Sequence, residues 1–534
     1  MLTNPLSEHA SASAGEESAV ARFPAGDARG VRQDGLCVFR GIPYAMPPTG
    51  ERRWRPPVSL PRWDGVRDAV SSGPACTQPA RRPGSIYANP LPATGEDCLS
   101  LDIWAPEGGR DLPVLVWIHG GSFIWGAGSE ALYHGVSLAR RGVVIVSINY
   151  RLGVFGYLAH PELSSESPDG VSGNYGLLDQ IAALEWVRRN ISAVGGDPEN
   201  VTIAGESAGA LSVLCLMVTP AARGLFVKAV AQSAYMISTP ALKEERHGLE
   251  PAEAAGSRLA AQLGANSLSG LRAMEGQALA DRALQAGFAP GGTSDGRVLP
   301  DQLVDIFERG KQAKVPLIAG FNSGEVRSLP FLLPPLPETA AAYETEIRIR
   351  YRDLADRYLS LYPSRDIKES ALASIRDALY GWTVLKLAEA HKAVGAPCFL
   401  YYFDHSYPSA RSASLDAFHA CELPYVFGTA DRTPPLWPRI PDTASEAALV
   451  RALGDYWVSF ARAGIPQAQN APDWPAHSSA GQFMHLADAP RVASALLPGM
   501  FELNDEVVRR RRAVGTVPWN WNVGVAAPLP NAEA

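Results

Sequence analysis

Cysteine is scarce and unpaired in this sequence. None of its six cysteines stands in a C-x-x-C spacing, which excludes the zinc ribbon and the thioredoxin-like redox motif. In a cytoplasmic protein the six are expected to be free, mostly buried thiols. Long hydrophobic runs are missing too. The most apolar stretch, Ala210 to Val218, has nine residues, where a membrane-spanning helix needs about 20. The N-terminus, MLTNPLSEHASASAGEESAVARF, has no basic start followed by an apolar run. It does not read as a signal peptide, and a soluble cytoplasmic protein is expected. Basic residues are in deficit, 48 Lys and Arg against 55 Asp and Glu, for a net charge of −7. That sign argues against nucleic acid or a membrane as the partner. No internal repeat is visible, and no cofactor or metal is expected.

What is present suffices for a large core. Hydrophobic residues make up 46 % of the chain and charged residues 19 %, proportions of a globular protein. Residues 7 to 18 are rich in Ser, Ala and Glu, so a disordered leader is expected over residues 1–20. Length alone would divide the rest into three or four domains, but the strand pattern favours one domain over residues 21–534. Strand-like runs recur as PVLVWIH (Pro113 to His119), VVIVSINY (Val143 to Tyr150), VTIAG (Val201 to Gly205), VKAVAQS (Val227 to Ser233), VPLIAGF (Val315 to Phe321) and CFLYYF (Cys398 to Phe403). Several are apolar without alternation, as strands buried on both faces of a parallel sheet are. Between them lie helical patterns. Leu177, Ile181, Leu184, Val187 and Ile191 recur at spacings of three and four, and Gly195-Gly196 then stops the helix. Alternating strands and helices predict an α/β fold, a doubly wound sheet with right-handed crossovers.

The stretch GESAG, Gly205 to Gly209, places a serine between glycines in the spacing G-x-S-x-G. The residues before it read as a short buried strand and ALSVLCLMV after it as an apolar helix, so Ser207 falls at a strand-to-helix corner. Such a corner strains the backbone of a nucleophile and lifts its hydroxyl clear of the sheet, with room only for small neighbours. A serine nucleophile also needs oxyanion donors, a base and an acid. HGGSF, His119 to Phe123, follows the run PVLVWI, where a donor loop belongs. Candidate bases downstream of Ser207 are His247, His391, His405, His419, His477 and His485.

Taken together, EDCLSLDIW (Glu96 to Trp104), HGGSF, NYRLGVFGYL (Asn149 to Leu158), GNYGLLDQ (Gly173 to Gln180), GESAG, FRGIPYAMPPTGERRW (Phe39 to Trp54) and FHACELPYVFG (Phe418 to Gly428) resemble the type-B carboxylesterases. That family includes the cholinesterases and bacterial para-nitrobenzyl-esterase-like enzymes. The resemblance covers nearly the whole chain from Phe39 onward. It implies an α/β-hydrolase fold: a large, mostly parallel central sheet flanked by helices, with a small N-terminal antiparallel sheet. It also implies a Ser–Glu–His triad of Ser207, Glu325 and His419, with oxyanion donors at Gly121, Ser122 and Ala208. His405, in YFDHSYP, is the nearest rival to His419 and is read as structural. Two departures stand out. Ser122 occupies a position where many relatives have a third glycine, and Glu325 sits in Gly-Glu-Val where Asp-Glu-Gly is common. Glu206 is read as a buried supporting carboxylate, unable to turn toward the base of its own neighbour. In relatives the cysteines matching Cys76 and Cys98 often form a disulfide.

The leading expectation is a serine hydrolase acting on a small-molecule carboxylic ester, as a monomer or weak homo-oligomer. The alternative is a non-catalytic binding protein on the same fold, as cholinesterase-like adhesion proteins are; the presence of every triad member argues against it. Quaternary ammonium recognition needs an aromatic face. The loop Cys76 to Cys98 has no tryptophan, Tyr87 as its sole aromatic, and two arginines, Arg81 and Arg82. Neutral esters with short to medium acyl chains, or alternatively anionic ones, are therefore expected over choline esters. The basic run Arg509 to Arg512 reads as a solvated helix face.

Overall fold

The computed structural model describes residues 17–265, 267–478 and 480–529. Its strands, in chain order, are β1 (Ser18–Phe23), β2 (Gly26–Gln33), β3 (Leu36–Pro43), β4 (Val66–Asp68), β5 (Ala75–Cys76), β6 (Thr94–Gly95), β7 (Ser100–Pro106), β8 (Leu112–Ile118), β9 (Val144–Ile148), β10 (Gly196–Glu206), β11 (Lys228–Gln232), β12 (Leu317–Asn322), β13 (Cys398–Phe403), β14 (Gln482–Leu486) and β15 (Pro490–Ser494). All but the short pair β5–β6 join one sheet, ordered β1-β2-β3-β7-β9-β8-β10-β11-β12-β13-β14-β15, with β4 beside β2. From β9 through β14 every neighbouring pair is parallel. The N-terminal strands β1, β2, β3 and β7 pair antiparallel and extend one edge of that same sheet. All six strands expected from the apolar runs are present. Of the leader expected over residues 1–20, residues 1–16 lie outside the described residues, and Ser18 to Val20 open β1.

The unalternating runs have a direct explanation. In β8 the side chains of Val114, Val116 and Ile118 enter one core and those of Leu115 and Trp117 the core on the opposite face. β13 divides in the same way, Cys398 and Leu400 against Phe399, Tyr401 and Phe403. Since successive strand side chains point to opposite faces, a strand covered on both sides is apolar throughout. The helix Tyr175–Asn190 packs Leu177, Ile181, Leu184 and Val187 into the first core. A 3-10 turn, Ile191–Val194, follows it and is closed by Gly195, which takes φ 82. The helix Ala444–Ala463 covers the other face with Leu449, Leu453, Trp457 and Phe460. Truncating one such side chain to alanine costs about 2–5 kcal/mol.

Two of the sequence motifs serve this frame. Arg151, from NYRLG, and Asp179, from GLLDQ, form a buried two-pronged pair: Arg151 Nε donates to Asp179 Oδ2 at 2.8 Å and Nη2 to Oδ1 at 2.7 Å. Arg509 to Arg512 lie on the helix Met500–Val514. Arg509 pairs with Glu506, Arg510 with Glu506 and Asp353, and Arg512 with Asp305 and Glu308. Among the described residues no helix is long and apolar enough to cross a membrane.

Candidate active site

The parallel strands deliver their C-terminal ends to one edge of the sheet, and the candidate site is built along it. β10 ends at Glu206 and the helix Ala208–Val218 begins two residues later. Ser207, between them, has φ 56 and ψ −122, a conformation that costs a non-glycine residue about 1–3 kcal/mol. The two glycines of the motif are required by space. A Cβ on Gly205 would lie 2.5 Å from the Gly209 carbonyl carbon, and one on Gly209 would lie 2.0 Å from Ile118 O. Ser207 N donates to Gln232 O at 2.9 Å, tying the corner to the end of β11.

HGGSF leaves β8 beside this corner. Gly121 has φ 106, and Ser122 and Phe123 both have φ 58. The Gly121 carbonyl accepts from Ile124 N at 3.0 Å and Trp125 N at 2.9 Å, which curls the loop and fixes it. Ala208 opens its helix, where backbone N–H groups have no intrahelical acceptor. The N–H groups of Gly121, Ser122 and Ala208 have no acceptor among the described residues. Three unsatisfied donors thus sit around one serine.

Glu325 follows β12 on the short turn Glu325–Ser328 and is fully buried. Its Oε1 accepts from Asn322 N at 2.8 Å and from Ser233 Oγ at 2.6 Å. Its Oε2 is hydrogen-bonded to His419 Nδ1. His419 arrives on a separate loop, which Gly324 N holds by donating to Ala417 O at 2.9 Å and Asn322 Nδ2 by donating to Phe418 O at 2.8 Å. The acid and base expected from the sequence are therefore brought together. Ser207 lines the same cavity as His419, without a hydrogen bond between them. His405 goes elsewhere: Nε2 lies 3.0 Å from Glu446 Oε2 and Nδ1 3.0 Å from Asp488 Oδ1.

One reading of the sequence is corrected here. Glu206 Oε1 lies 3.0 Å from His419 Nε2, so this carboxylate does reach the candidate base. The sequence neighbour of Ser207 meets a histidine carried by another loop, and adjacency along the chain sets no limit on that contact. The two atoms are not aligned as a hydrogen bond, and Oε1 has no other partner. Burial, with like charge from Glu422 and Glu325, outweighs the pull of His419 and pushes the Glu206 carboxyl up to about 8. Burial alone would lower His419, but Glu206 and then Glu325 outweigh it and hold the imidazole at about 9.

The sequence reading missed Ser233 and Tyr380. Glu206 and Gln232 are partners in the β10–β11 register, so the residue after β11 had to fall beside the residue after β10; that register was the available signal. Tyr380 faces the His419 ring at 5.8 Å from a π-helical segment, Asp377–Gly381. Such bulges are rare and frequent at functional sites, but nothing in DALYG announces one. Cys76 and Cys98 are free thiols in this structure, buried side by side; their hydrogen bond and burial push the Cys98 thiol well up.

Ser207 stands where two lobes of a cavity meet. The larger, about 900 Å³, contains His419, Glu206, Tyr87, Trp437 and the loop Arg81 to Tyr87. The smaller, about 560 Å³, contains neither His419 nor Glu206 and is lined largely by apolar groups, among them Leu211, Ile237, Leu299, Leu303 and Leu379. Ser122 and Ser207 belong to both.

Comparison with known proteins agrees with this architecture. Residues 17–499 match the carboxylesterase family. The chain is 35 % identical over 472 residues to fumonisin B1 esterase of Sphingopyxis macrogoltabida, covering 86 % of this chain and 84 % of that protein. It is 36 % identical over 470 residues to para-nitrobenzyl esterase of Bacillus subtilis strain 168, covering 85 % and 91 %. A solved PNB esterase structure superposes with a TM-score of 0.79 at 32 % identity, covering 91 % of this chain and 99 % of the other.

Proposed function

The chain belongs to the carboxylesterase family, and from that membership we propose that it cleaves esters through an acyl-enzyme, with Ser207 as nucleophile, His419 as base and Glu325 as the acid that orients it. The observation that carries this reading is the serine at φ 56 ringed by three backbone N–H groups without acceptors. A strained nucleophile beside unsatisfied donors is the arrangement that a developing oxyanion requires.

Ser207 Oγ attacks the ester carbonyl carbon as His419 Nε2 takes its proton. The charge that builds on the carbonyl oxygen is accepted by the N–H groups of Gly121, Ser122 and Ala208; one such donor contributes about 10²–10³-fold in rate. The C–O bond to the alcohol then breaks, and His419 returns the proton to the leaving oxygen. Water repeats the sequence on the acyl-serine. Glu325 holds the Nδ1–H tautomer and stabilises the imidazolium. The hydrogen bond from Ser207 to Nε2 is one that tightens with substrate in place.

The position of His419 also orients the substrate. The leaving oxygen must lie on the side of the group that protonates it, so the alcohol part occupies the larger lobe and the acyl part the smaller. The apolar lining of the smaller lobe suits short to medium acyl chains. Arg81 and Arg82 in the larger lobe disfavour a cationic alcohol, so neutral esters are preferred to choline esters.

Diisopropyl fluorophosphate tests the nucleophile. It should add one phosphoryl group, located by mass spectrometry on Ser207, and abolish hydrolysis of para-nitrophenyl butyrate. Ser207→Ala should take no adduct and lose about 10⁴-fold or more in kcat. A variant retaining more than about a tenth of the activity would exclude Ser207.

A further inference from the structure

The larger lobe carries charge that ester cleavage itself does not use. Arg81 and Arg82 stand side by side in its wall. The Arg81 guanidinium lies over the Trp125 ring, 5.8 Å from the centroid. Its nearest carboxylate oxygen, Glu130 Oε1, is 4.0 Å away, beyond hydrogen-bond length. Arg82 is exposed and has no ion-pair partner among the described residues. Neither guanidinium donates a hydrogen bond to a described residue. Arg327, in the same lobe, behaves differently: Glu369 and Asp416 both pair with it. The carboxylate nearest to them, Glu130, is buried, and burial pushes its carboxyl up.

Resting on the serine-esterase reading above, we infer that the larger lobe receives an alcohol moiety bearing a carboxylate, which makes O-acylated hydroxy acids a substrate class of this enzyme. Two guanidinium forks without protein acceptors match a planar carboxylate, which Arg binds bidentately. Stacking on Trp125 pre-orders the Arg81 fork, so less rotamer freedom is lost on binding. The chemistry balances without a co-reactant. Ser207 Oγ bonds to the acyl carbon, the bond from that carbon to the hydroxy acid's oxygen breaks, and His419 moves the serine proton to that oxygen. The free hydroxy acid leaves, and water then releases the acyl group. A quaternary ammonium in the same place would face two cations, so one device selects for one charge and against the other.

The test uses three butyrate esters with one acyl group and one five-methylene linker, those of 6-hydroxyhexanoate, 6-hydroxyhexanamide and 5-(trimethylammonio)pentanol. Wild-type enzyme should show kcat/KM about tenfold higher for the carboxylate than for the amide, and lowest for the cation, with ordering compressed as salt rises. In the double variant Arg81→Gln, Arg82→Gln the carboxylate-to-amide ratio should fall to near one. The single variant Arg82→Glu, at an exposed and unpacked position, should take the ratio below one even if the double variant folds poorly. A wild-type ratio of one or less, or a preference that survives Arg82→Glu and high salt, would overturn the inference. Turnover of the amide ester alone would leave the serine-esterase reading standing while removing this one; turnover of none would remove both.

Discussion

The contact between Glu206 and His419 predicts an unusual pH dependence. Their atoms are 3.0 Å apart, and unit charges at that distance attract by about 5 kcal/mol at an effective dielectric near 20. The imidazole stands at about 9 against an ordinary value of about 6.5, a stabilisation of the imidazolium by about 3 kcal/mol. Burial opposes that rise; the charge of Glu206 is its largest single cause, followed by the charge and the hydrogen bond of Glu325. Glu206→Gln should therefore remove a substantial part of it. The sign follows from the chemistry. Only neutral imidazole is a base, and a nearby carboxylate favours the imidazolium. Removing that charge lets the neutral form persist to lower pH. The acid limb of kcat/KM, which reports the free enzyme, should stand above about pH 8 in the wild type and move down by more than about one pH unit in Glu206→Gln. The assay is hydrolysis of para-nitrophenyl butyrate from about pH 5.5 to 10, corrected for spontaneous hydrolysis. A wild-type limb at the ordinary histidine value, or a variant limb that stays put or moves alkaline, would refute the argument.

The remaining expectations concern single residues. Ser122→Gly should keep kcat within about threefold, since the donor is a backbone N–H and glycine accepts φ 58 without strain; a fall of about 10²-fold would show that the hydroxyl takes part. Glu325→Gln should be about tenfold to hundredfold less damaging than Ser207→Ala, because the carboxylate orients the proton carrier without moving the proton; equal damage in single-turnover kinetics would assign it a larger role. His405→Ala should keep kcat within a few-fold while lowering the melting temperature, since Glu446 loses a partner while Tyr425 OH remains at 2.7 Å and a broken buried contact costs about 1–3 kcal/mol; a loss matching His419→Ala would reverse the choice of base.

The sheet and the strained corner at Ser207 were legible because local patterns encode them: apolar runs for doubly covered strands, and small residues around a strained serine. The proposed acid, Glu325, and the proposed base, His419, were suggested only by family resemblance, since a glutamate after a strand and a histidine in a loop carry no local mark. The reach of Glu206 to His419, and the contacts of Ser233 and Tyr380, escaped because each is made across the fold, by sheet register or by a bulge that no propensity announces. Strand order also favours His419 over His405 as the proposed base. Along the sheet the order is β10-β11-β12-β13, with strands about 4.8 Å apart. Ser207 follows β10, Glu325 follows β12 and His405 follows β13. His405 therefore starts about 14 Å from the nucleophile, on the far side of the acid, and no imidazole bridges that span. A base between Ser207 and Glu325 has to travel back across the ends of two strands. The chain from Asp404 to Phe418 makes that return, and the Gly324–Phe418 bridge pins its end beside β12. His419, the next residue, is thereby set over the gap that β11 leaves between nucleophile and acid. Ser233, at the end of β11, occupies the floor of that gap and can donate to Glu325 from below. In this sheet a histidine placed directly at the end of β13 lies too far from Ser207 to serve the proposed mechanism, which calls for a base carried on a loop long enough to fold back.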